Sequence, residues 1–137
     1  MKAPNNLKHK PIIAVSDYDK IEGIYANQTD VHALSIGEAQ WDSTEISVKI
    51  WRRPDERWSR QSEEMPLHRA LDLSILTIAS FITDVDAFYP QTSLREEIVQ
   101  ELKVQKIKDY FAENEATLRP RLEELKKILD KFFEKKR

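Results

Sequence analysis

Apolar and polar residues alternate along the first half of the chain with the two-residue period of β-strands. Residues 11–16 form a short β-branched run, residues 31–41 follow as a second strand, and residues 45–53 alternate most regularly. After a turn, residues 57–61 are predicted to return as a fourth, more polar strand. The alternation assigns the third strand's side chains to two faces, Ile46, Val48 and Ile50 against Ser47, Lys49 and Trp51.

The second half of the chain changes to the helical period. The first helix carries an apolar arc, and Pro66 suits its first turn. The sequence Ser93-Leu94-Arg95-Glu96 has the pattern of a capping box and predicts the start of a second helix. Thr117 is expected to cap a third helix, whose apolar residues follow coiled-coil spacing: Leu118, Leu122, Leu125, Leu129 and Phe132. This seam favours helix pairing, within or between chains.

Together these elements predict one α+β domain over residues 1–137, a length that suits a single domain with its own core. An antiparallel four-stranded meander occupies residues 10–61. Three helices follow: a central helix over residues 63–84, packed on the sheet, and a C-terminal helical pair over residues 93–136.

Composition removes several classes of function. The chain has no cysteine, which excludes disulfides and thiolate zinc sites, and its two glycines are too few for a phosphate-binding loop. The net charge of −2 gives no general attraction to nucleic acid or to an anionic membrane. Residues 1–5 do not resemble a signal peptide, and the longest apolar run, residues 67–82, is too short to span a bilayer. We therefore expect a cytoplasmic protein.

Five arginines and two tryptophans fall within residues 51–69 of this nearly neutral chain. Guanidinium groups bind phosphates and carboxylates, and tryptophan faces stack on planar groups. The segment therefore predicts a site for a small anionic ligand, with these residues as its contacts: Trp51, Arg57, Trp58, Arg60 and Arg69. A structural interpretation competes with this one, because arginines pair with carboxylates such as Glu63 and Glu64 and tryptophans fill cores.

Glu64, His68 and Asp72 follow one another at intervals of four residues, so a helix through them would place all three on one ridge. Carboxylate and imidazole groups in that arrangement are able to share a divalent metal or act as an acid–base pair. A metal site would need further ligands, such as His32, Asp84 or Asp86. The competing interpretation is a solvated ridge of ion pairs.

The run Trp58-Ser59-Arg60-Gln61-Ser62-Glu63-Glu64-Met65-Pro66-Leu67-His68-Arg69 resembles an uncharacterised bacterial family of short proteins, a domain of unknown function. Similar residues extend the resemblance over about residues 10–82. That family has no assigned activity, so the resemblance implies no catalytic residue. It implies only that residues 52–72 belong to a recurring unit.

The sequence as a whole predicts a non-catalytic, homo-oligomeric protein without a cofactor that binds a small anionic ligand. A bacterial or phage protein that captures a nucleotide would fit this chemistry. Two alternatives stay open. One is a metal-dependent hydrolase that uses Glu64, His68 and Asp72, and the other is a structural or protein-interaction module that acts through its C-terminal helices.

Overall fold

The structure, a computed structural model, describes residues 9–59, 63–87 and 90–135. It contains two compact units, Met1–Ser74 and Ile75–Arg137, which are described separately below. The first unit holds the sheet and the second holds most of the helical residues. Among the described residues, no helix is long and apolar enough to cross a membrane.

One sheet of four antiparallel strands is described in the first unit, in the order in which the strands follow along the chain. The strands are β1 (Lys10–Ser16), β2 (Val31–Glu38), β3 (Ile46–Arg52) and β4 (Glu64–Pro66). Each strand pairs with its sequence neighbour, and this confirms the predicted meander.

The position of the fourth strand was predicted wrongly. Residues 57–59 form no strand, residues 60–62 lie outside the described residues, and β4 occupies Glu64–Pro66, where the first helix was expected to begin. Side-chain chemistry explains this choice. Pairing Glu64 with Lys49 and Met65 with Val48 puts polar residues opposite polar ones and apolar residues opposite apolar ones.

Three α-helices are described after the sheet: α1 (Leu67–Phe81), α2 (Val104–Glu113) and α3 (Glu115–Lys135). Helix α1 begins in the sheet unit, directly after β4, and contacts β3 and β4. The predicted α+β class, with three helices after the sheet and the first helix packed on it, is therefore confirmed.

The second helix begins later than the expected start at Ser93. Glu96 does form capping hydrogen bonds, but it forms them with Thr92, whose hydroxyl and backbone N–H lie 2.7 and 3.2 Å from Glu96 Oε1. Arg95 then adopts a left-handed backbone conformation with φ 62°, which an α-helix cannot contain. Helix α2 consequently starts at Val104, after a 3₁₀ turn at Glu101–Lys103.

The more thoroughly covered face of the sheet is its polar face. Strand β3 directs Ser47, Lys49 and Trp51 into the interior, whereas Val48 and Ile50 on the opposite face are half-buried. Strand β2 buries small residues on the same covered face: Val31, Ala33, Ser35, Gly37 and Ala39. Small side chains on β2 leave room for larger polar groups, and those groups form the cluster described next.

Candidate functional site

A hydrogen-bonded cluster, here called the His9 network, lies on the covered face of the sheet. Its centre is His9, which directly precedes β1 and is fully buried. His9 Nδ1 lies 2.8 Å from Ser47 Oγ on β3, and His9 Nε2 lies 2.9 Å from Ser35 Oγ on β2. The network also includes Trp51 on β3 and Glu64 on β4. It therefore connects β2, β3 and β4 with the residue that precedes β1.

The hydrogen bonds of the His9 network accommodate a neutral imidazole, the form that burial favours by lowering its pKa. Trp51 Nε1 donates to Ser35 Oγ over 2.7 Å, which leaves the Ser35 hydroxyl to donate to His9 Nε2. Ser47 Oγ donates to Glu64 Oε2 over 2.7 Å, so Ser47 accepts its second hydrogen bond from His9 Nδ1–H. A neutral imidazole with its proton on Nδ1 therefore pairs both ring nitrogens of His9 and both serine hydroxyls.

Two charged groups border the imidazole. Glu64 Oε2 lies 3.4 Å from His9 Nδ1 and also accepts the backbone N–H of Gln40 over 3.0 Å, while Glu64 Oε1 is buried with no hydrogen-bond partner among the described residues. The Lys49 ammonium lies 4.1 Å from the centroid of the Trp51 ring. Burial lowers the pKa of both His9 and Lys49, and the nearby Glu64 opposes this effect in each case.

A serine, a histidine and a glutamate in contact have the composition of a nucleophilic triad. Here, however, Ser47 is 0% exposed and Ser35 is 6% exposed, and each hydroxyl is already engaged on both sides. A substrate has no access to either oxygen in this arrangement. The network instead satisfies buried polar groups and joins the strands, which is the role that buried polar clusters commonly have.

The two tryptophans of the predicted site contact each other in the structure. The rings of Trp51 and Trp58 meet edge to face, with centroids 5.9 Å apart, and His32 contacts Trp58 in the same manner at 6.4 Å. Trp51 is fully buried and Trp58 is half-buried. The Arg53 guanidinium lies 5.9 Å from the centroid of the Trp58 ring. Trp51 thus contacts Trp58 from the protein interior. Of these two rings, only that of Trp58 is partly exposed to solvent.

The arginines of the segment separate into two groups. Arg52 forms ion pairs with Glu63 at 2.9 Å and with Asp30 at 2.8 Å. The hydrogen bond between Arg52 and Glu63 raises the pKa of the guanidinium and lowers the pKa of the carboxyl. The structural interpretation therefore applies to Arg52. Arg57 and Arg69 have exposed side chains, and Arg60 lies outside the described residues.

The predicted ridge of Glu64, His68 and Asp72 does not form, because Glu64 belongs to β4 and only His68 and Asp72 lie on α1. The suggested additional ligands are bound elsewhere: His32 Nδ1 lies 3.2 Å from Asp19 Oδ1, and Asp84 accepts a backbone N–H from Asp86. In the described ranges 9–59, 63–87 and 90–135, no three histidine or acidic residues are placed to hold a metal ion.

The helical unit contains a cavity of about 820 Å³. It is bordered by the C-terminal half of α1, by residues 96–100 and by the first two turns of α2, and most of its lining is apolar. Sequence reasoning missed both this cavity and the His9 network. The alternation along β3 did place Ser47, Lys49 and Trp51 on one face, but no sequence signal brings His9 to them.

A family model matches residues 1–107, which include the sheet, all of α1 and the first turn of α2. The chain belongs to DUF6530, a family of unknown function. This confirms the expected membership of an uncharacterised family, and the match extends past residue 82, where the sequence resemblance ended. No curated protein and no solved structure matches the chain. The family match includes the His9 network, the tryptophan pair and most of the residues that line the cavity.

Proposed function

We propose that the protein is a non-catalytic binder of a small anionic ligand, nucleotides being the first class to test, and that Trp58 is the platform for this ligand. The observation that carries the proposal is the position of Trp58. It is half-buried, and its ring is approached by the guanidinium of Arg53 at 5.9 Å. A tryptophan ring beside a guanidinium combines a stacking surface with a positive charge.

The Trp58 platform is held in place before any ligand arrives. Trp51 and His32 contact its ring from two directions, and Trp51 is itself fixed by its hydrogen bond to Ser35. An aromatic platform that is already ordered loses little conformational entropy when it binds a ligand. Trp51 therefore supports the site without contacting the ligand, which changes the role that the sequence predicted for it.

Further positive charge comes from the same segment. Arg57 is exposed one residue before Trp58, and Arg69 is exposed on the first turn of α1. Guanidinium groups bind phosphate and carboxylate oxygens in pairs, so exposed arginines in the same segment as a stacking tryptophan favour an anionic planar ligand. Arg60 remains a proposed contact on sequence grounds.

Calorimetric titration with a panel of nucleoside mono- and diphosphates tests the proposal. Trp58→Ala and Arg57→Ala should each weaken binding by about 1–3 kcal/mol, the cost of a lost stacking or charge-assisted contact. Two matched controls should leave binding unchanged: Trp41→Ala removes another exposed tryptophan, and Arg121→Ala removes an exposed arginine from α3. Binding that survives both Trp58→Ala and Arg57→Ala, or no binding of any nucleotide, would show that the proposal is wrong.

A second candidate function is association through α3, which the exposed apolar residues on its C-terminal half favour. Helix α2 contacts α3 but has 10 residues against 21, so it is too short to cover the longer helix. The uncovered residues are Ile128, Leu129, Phe132 and Phe133. We propose that this surface forms the interface of the expected homo-oligomer. We also propose that the protein is cytoplasmic.

Light scattering after gel filtration tests the association. The double variant Leu129→Lys with Phe132→Lys should lower the molecular mass of the assembly in solution to that of a smaller oligomer or a monomer. The control, Lys127→Glu with Lys131→Glu at exposed positions of the same helix, should leave the mass of the assembly unchanged. Retention of an oligomer in the apolar-to-lysine variant would exclude α3 as the interface.

The metal-dependent hydrolase receives no support, because the Glu64 carboxylate is bound to Ser47 and to the backbone of Gln40.

A further inference from the structure

The cavity of the helical unit has the size and the lining of a ligand site. Its volume of about 820 Å³ lies within the range of roughly 300–1,000 Å³ in which small-molecule pockets fall. Aliphatic side chains from all three bordering segments face it, among them Leu76 on α1, Val99 in the connecting segment and Ile107 on α2. These three side chains are exposed to solvent, so an apolar ligand that covers them would remove apolar surface from water.

Hydroxyl groups on the α1 side of the cavity do not make it a polar site. Ser80 Oγ donates to the carbonyl oxygen of Thr77 over 2.6 Å, and Thr83 Oγ1 donates to that of Ala79 over 2.8 Å. Because these hydrogens are bound to the helix backbone, neither hydroxyl has a donor left for a ligand. Ser80 and Thr83 therefore present carbon atoms to the cavity, with oxygens that only accept.

The cationic residues of the cavity come from the 3₁₀ turn and from α2. Lys103 and Lys106 both line it, and their spacing of three residues places them on the same side of the 3₁₀ turn and α2. In the part of the chain that the structure describes, no carboxylate lies within 4.0 Å of either ammonium group. The two side chains therefore have their charge available for a ligand.

The acidic residues at the cavity do not neutralise these lysines. Glu96 accepts hydrogen bonds from the Thr92 hydroxyl and from the backbone N–H groups of Gln91 and Thr92, and these bonds lower its pKa. Its carboxylate is thus bound to the neighbouring loop. Glu97 is exposed at the rim. The cavity consequently has a mostly apolar lining and two cationic side chains, Lys103 and Lys106, that no carboxylate of the described residues pairs with.

We propose that this cavity binds an amphipathic anion, a single apolar chain with one carboxylate or phosphate headgroup. The headgroup contacts Lys103 and Lys106, and the chain lies against Leu76, Val104 and Ile107. This ligand class is separate from the planar anion assigned to Trp58, and the two sites share no residue.

Calorimetry with the full chain and monomeric ligands tests the chain-length dependence. The series octanoate, decanoate and dodecanoate should show affinity rising about fourfold per added methylene, until the chain fills the cavity. Decanol, which lacks the charge, should bind about tenfold more weakly than decanoate. Decyl phosphate compared with decanoate decides between the two headgroups. Affinity that is independent of chain length, or equal for decanol and decanoate, would overturn the proposal.

A pair of variants tests the headgroup contact. Lys103→Met with Lys106→Met should reduce the affinity for decanoate to that for decanol, while leaving decanol binding unchanged. The matched control, Lys127→Met with Lys131→Met on α3, removes the same charge away from the cavity and should retain wild-type affinity. An equal loss in both double variants would mean that the lysines act only through net charge, and the proposal would fail.

Two further measurements separate the cavity from other anion sites. Helical circular dichroism of both double variants verifies that they fold, and retained decanol binding shows an intact cavity. Inorganic phosphate alone should not compete with decanoate at equal concentration, and phosphatidylglycerol vesicles should not bind the protein. Competition by phosphate, or vesicle binding that the lysine variant abolishes, would replace the cavity proposal with a surface anion site or a membrane surface.

Discussion

Ser47 donates a hydrogen bond of 2.7 Å to Glu64 and so joins β3 to β4 through side chains. The position of this bond matters, because the backbone partner of Ser47 on β4 is Pro66, which has no N–H to donate. A three-residue edge strand that contains proline has few backbone hydrogen bonds. The buried side-chain bond compensates for part of this deficit and also places Glu64 beside His9.

Ser47→Ala should therefore destabilise the protein by about 1–3 kcal/mol, because it removes one hydrogen-bond partner from the Glu64 carboxylate and one from the buried His9 imidazole. Urea unfolding measures the change in the free energy of unfolding. Ser43→Ala, at an exposed turn position, serves as the control and should change stability by less than about 0.5 kcal/mol. Equal stability of the two variants would show that the His9 network contributes nothing.

The His9 network should also make stability depend on pH. Burial holds the pKa of His9 below its ordinary value of 6.5 in the folded state, so the unfolded chain binds a proton first as the pH falls. The stabilisation is fully present above about pH 6.5 and decreases as the pH falls from there towards the folded-state pKa. Glu64 and Lys49 face the imidazole and act on it in opposite directions.

Unfolding free energies measured over roughly pH 5–8, the range in which histidine titrates, test this dependence. His9→Gln should lower stability at neutral pH and remove most of the slope below pH 6.5. His68→Gln, on the exposed surface of α1, should keep the wild-type slope. A full slope in His9→Gln would mean that another group is responsible for it.

Gly37→Ala should disrupt the pairing of β1 with β2. A Cβ atom at Gly37 would overlap the carbonyl oxygen of Lys10 and lie 2.8 Å from Pro11 Cα, and neither backbone atom is able to move without shifting β1. We expect a loss of about 1–3 kcal/mol, as for other overpacked sites. Hydrogen exchange should report faster exchange of β1 amides, and the exposed control Ser16→Ala should not. Unchanged protection of β1 would contradict the close approach.

Arg52→Lys should cost about 0.5–1 kcal/mol, since a lysine cannot bind Glu63 and Asp30 together through separate nitrogens. The loss should become smaller at high salt, because the pairs are partly exposed. Arg119→Lys, in an exposed ion pair on α3, is the control and should cost less. A salt-independent loss would indicate lost packing rather than lost ion pairs.

Much of the fold was predictable because its signals are local. The two-residue alternation over residues 45–53 identified β3 and its two faces, and the apolar arc after Pro66 identified α1. The capping box predicted at Ser93–Glu96 was wrong, because Glu96 bonds to Thr92 instead and the left-handed backbone at Arg95 prevents a helix from starting there. A local pattern indicates which residues interact, whereas the backbone conformation around them determines which secondary-structure element they form.

The sequence by itself determined the α+β class and the antiparallel order of the strands, because residue period and short connections leave few alternatives. Only the tertiary structure decided that Glu64 lies on a strand and that His9 joins Ser35 and Ser47. Those contacts link positions 26 and 38 residues apart, and no local period encodes contacts at such separations. The cavity beside Lys103 likewise exists only where separate helices meet.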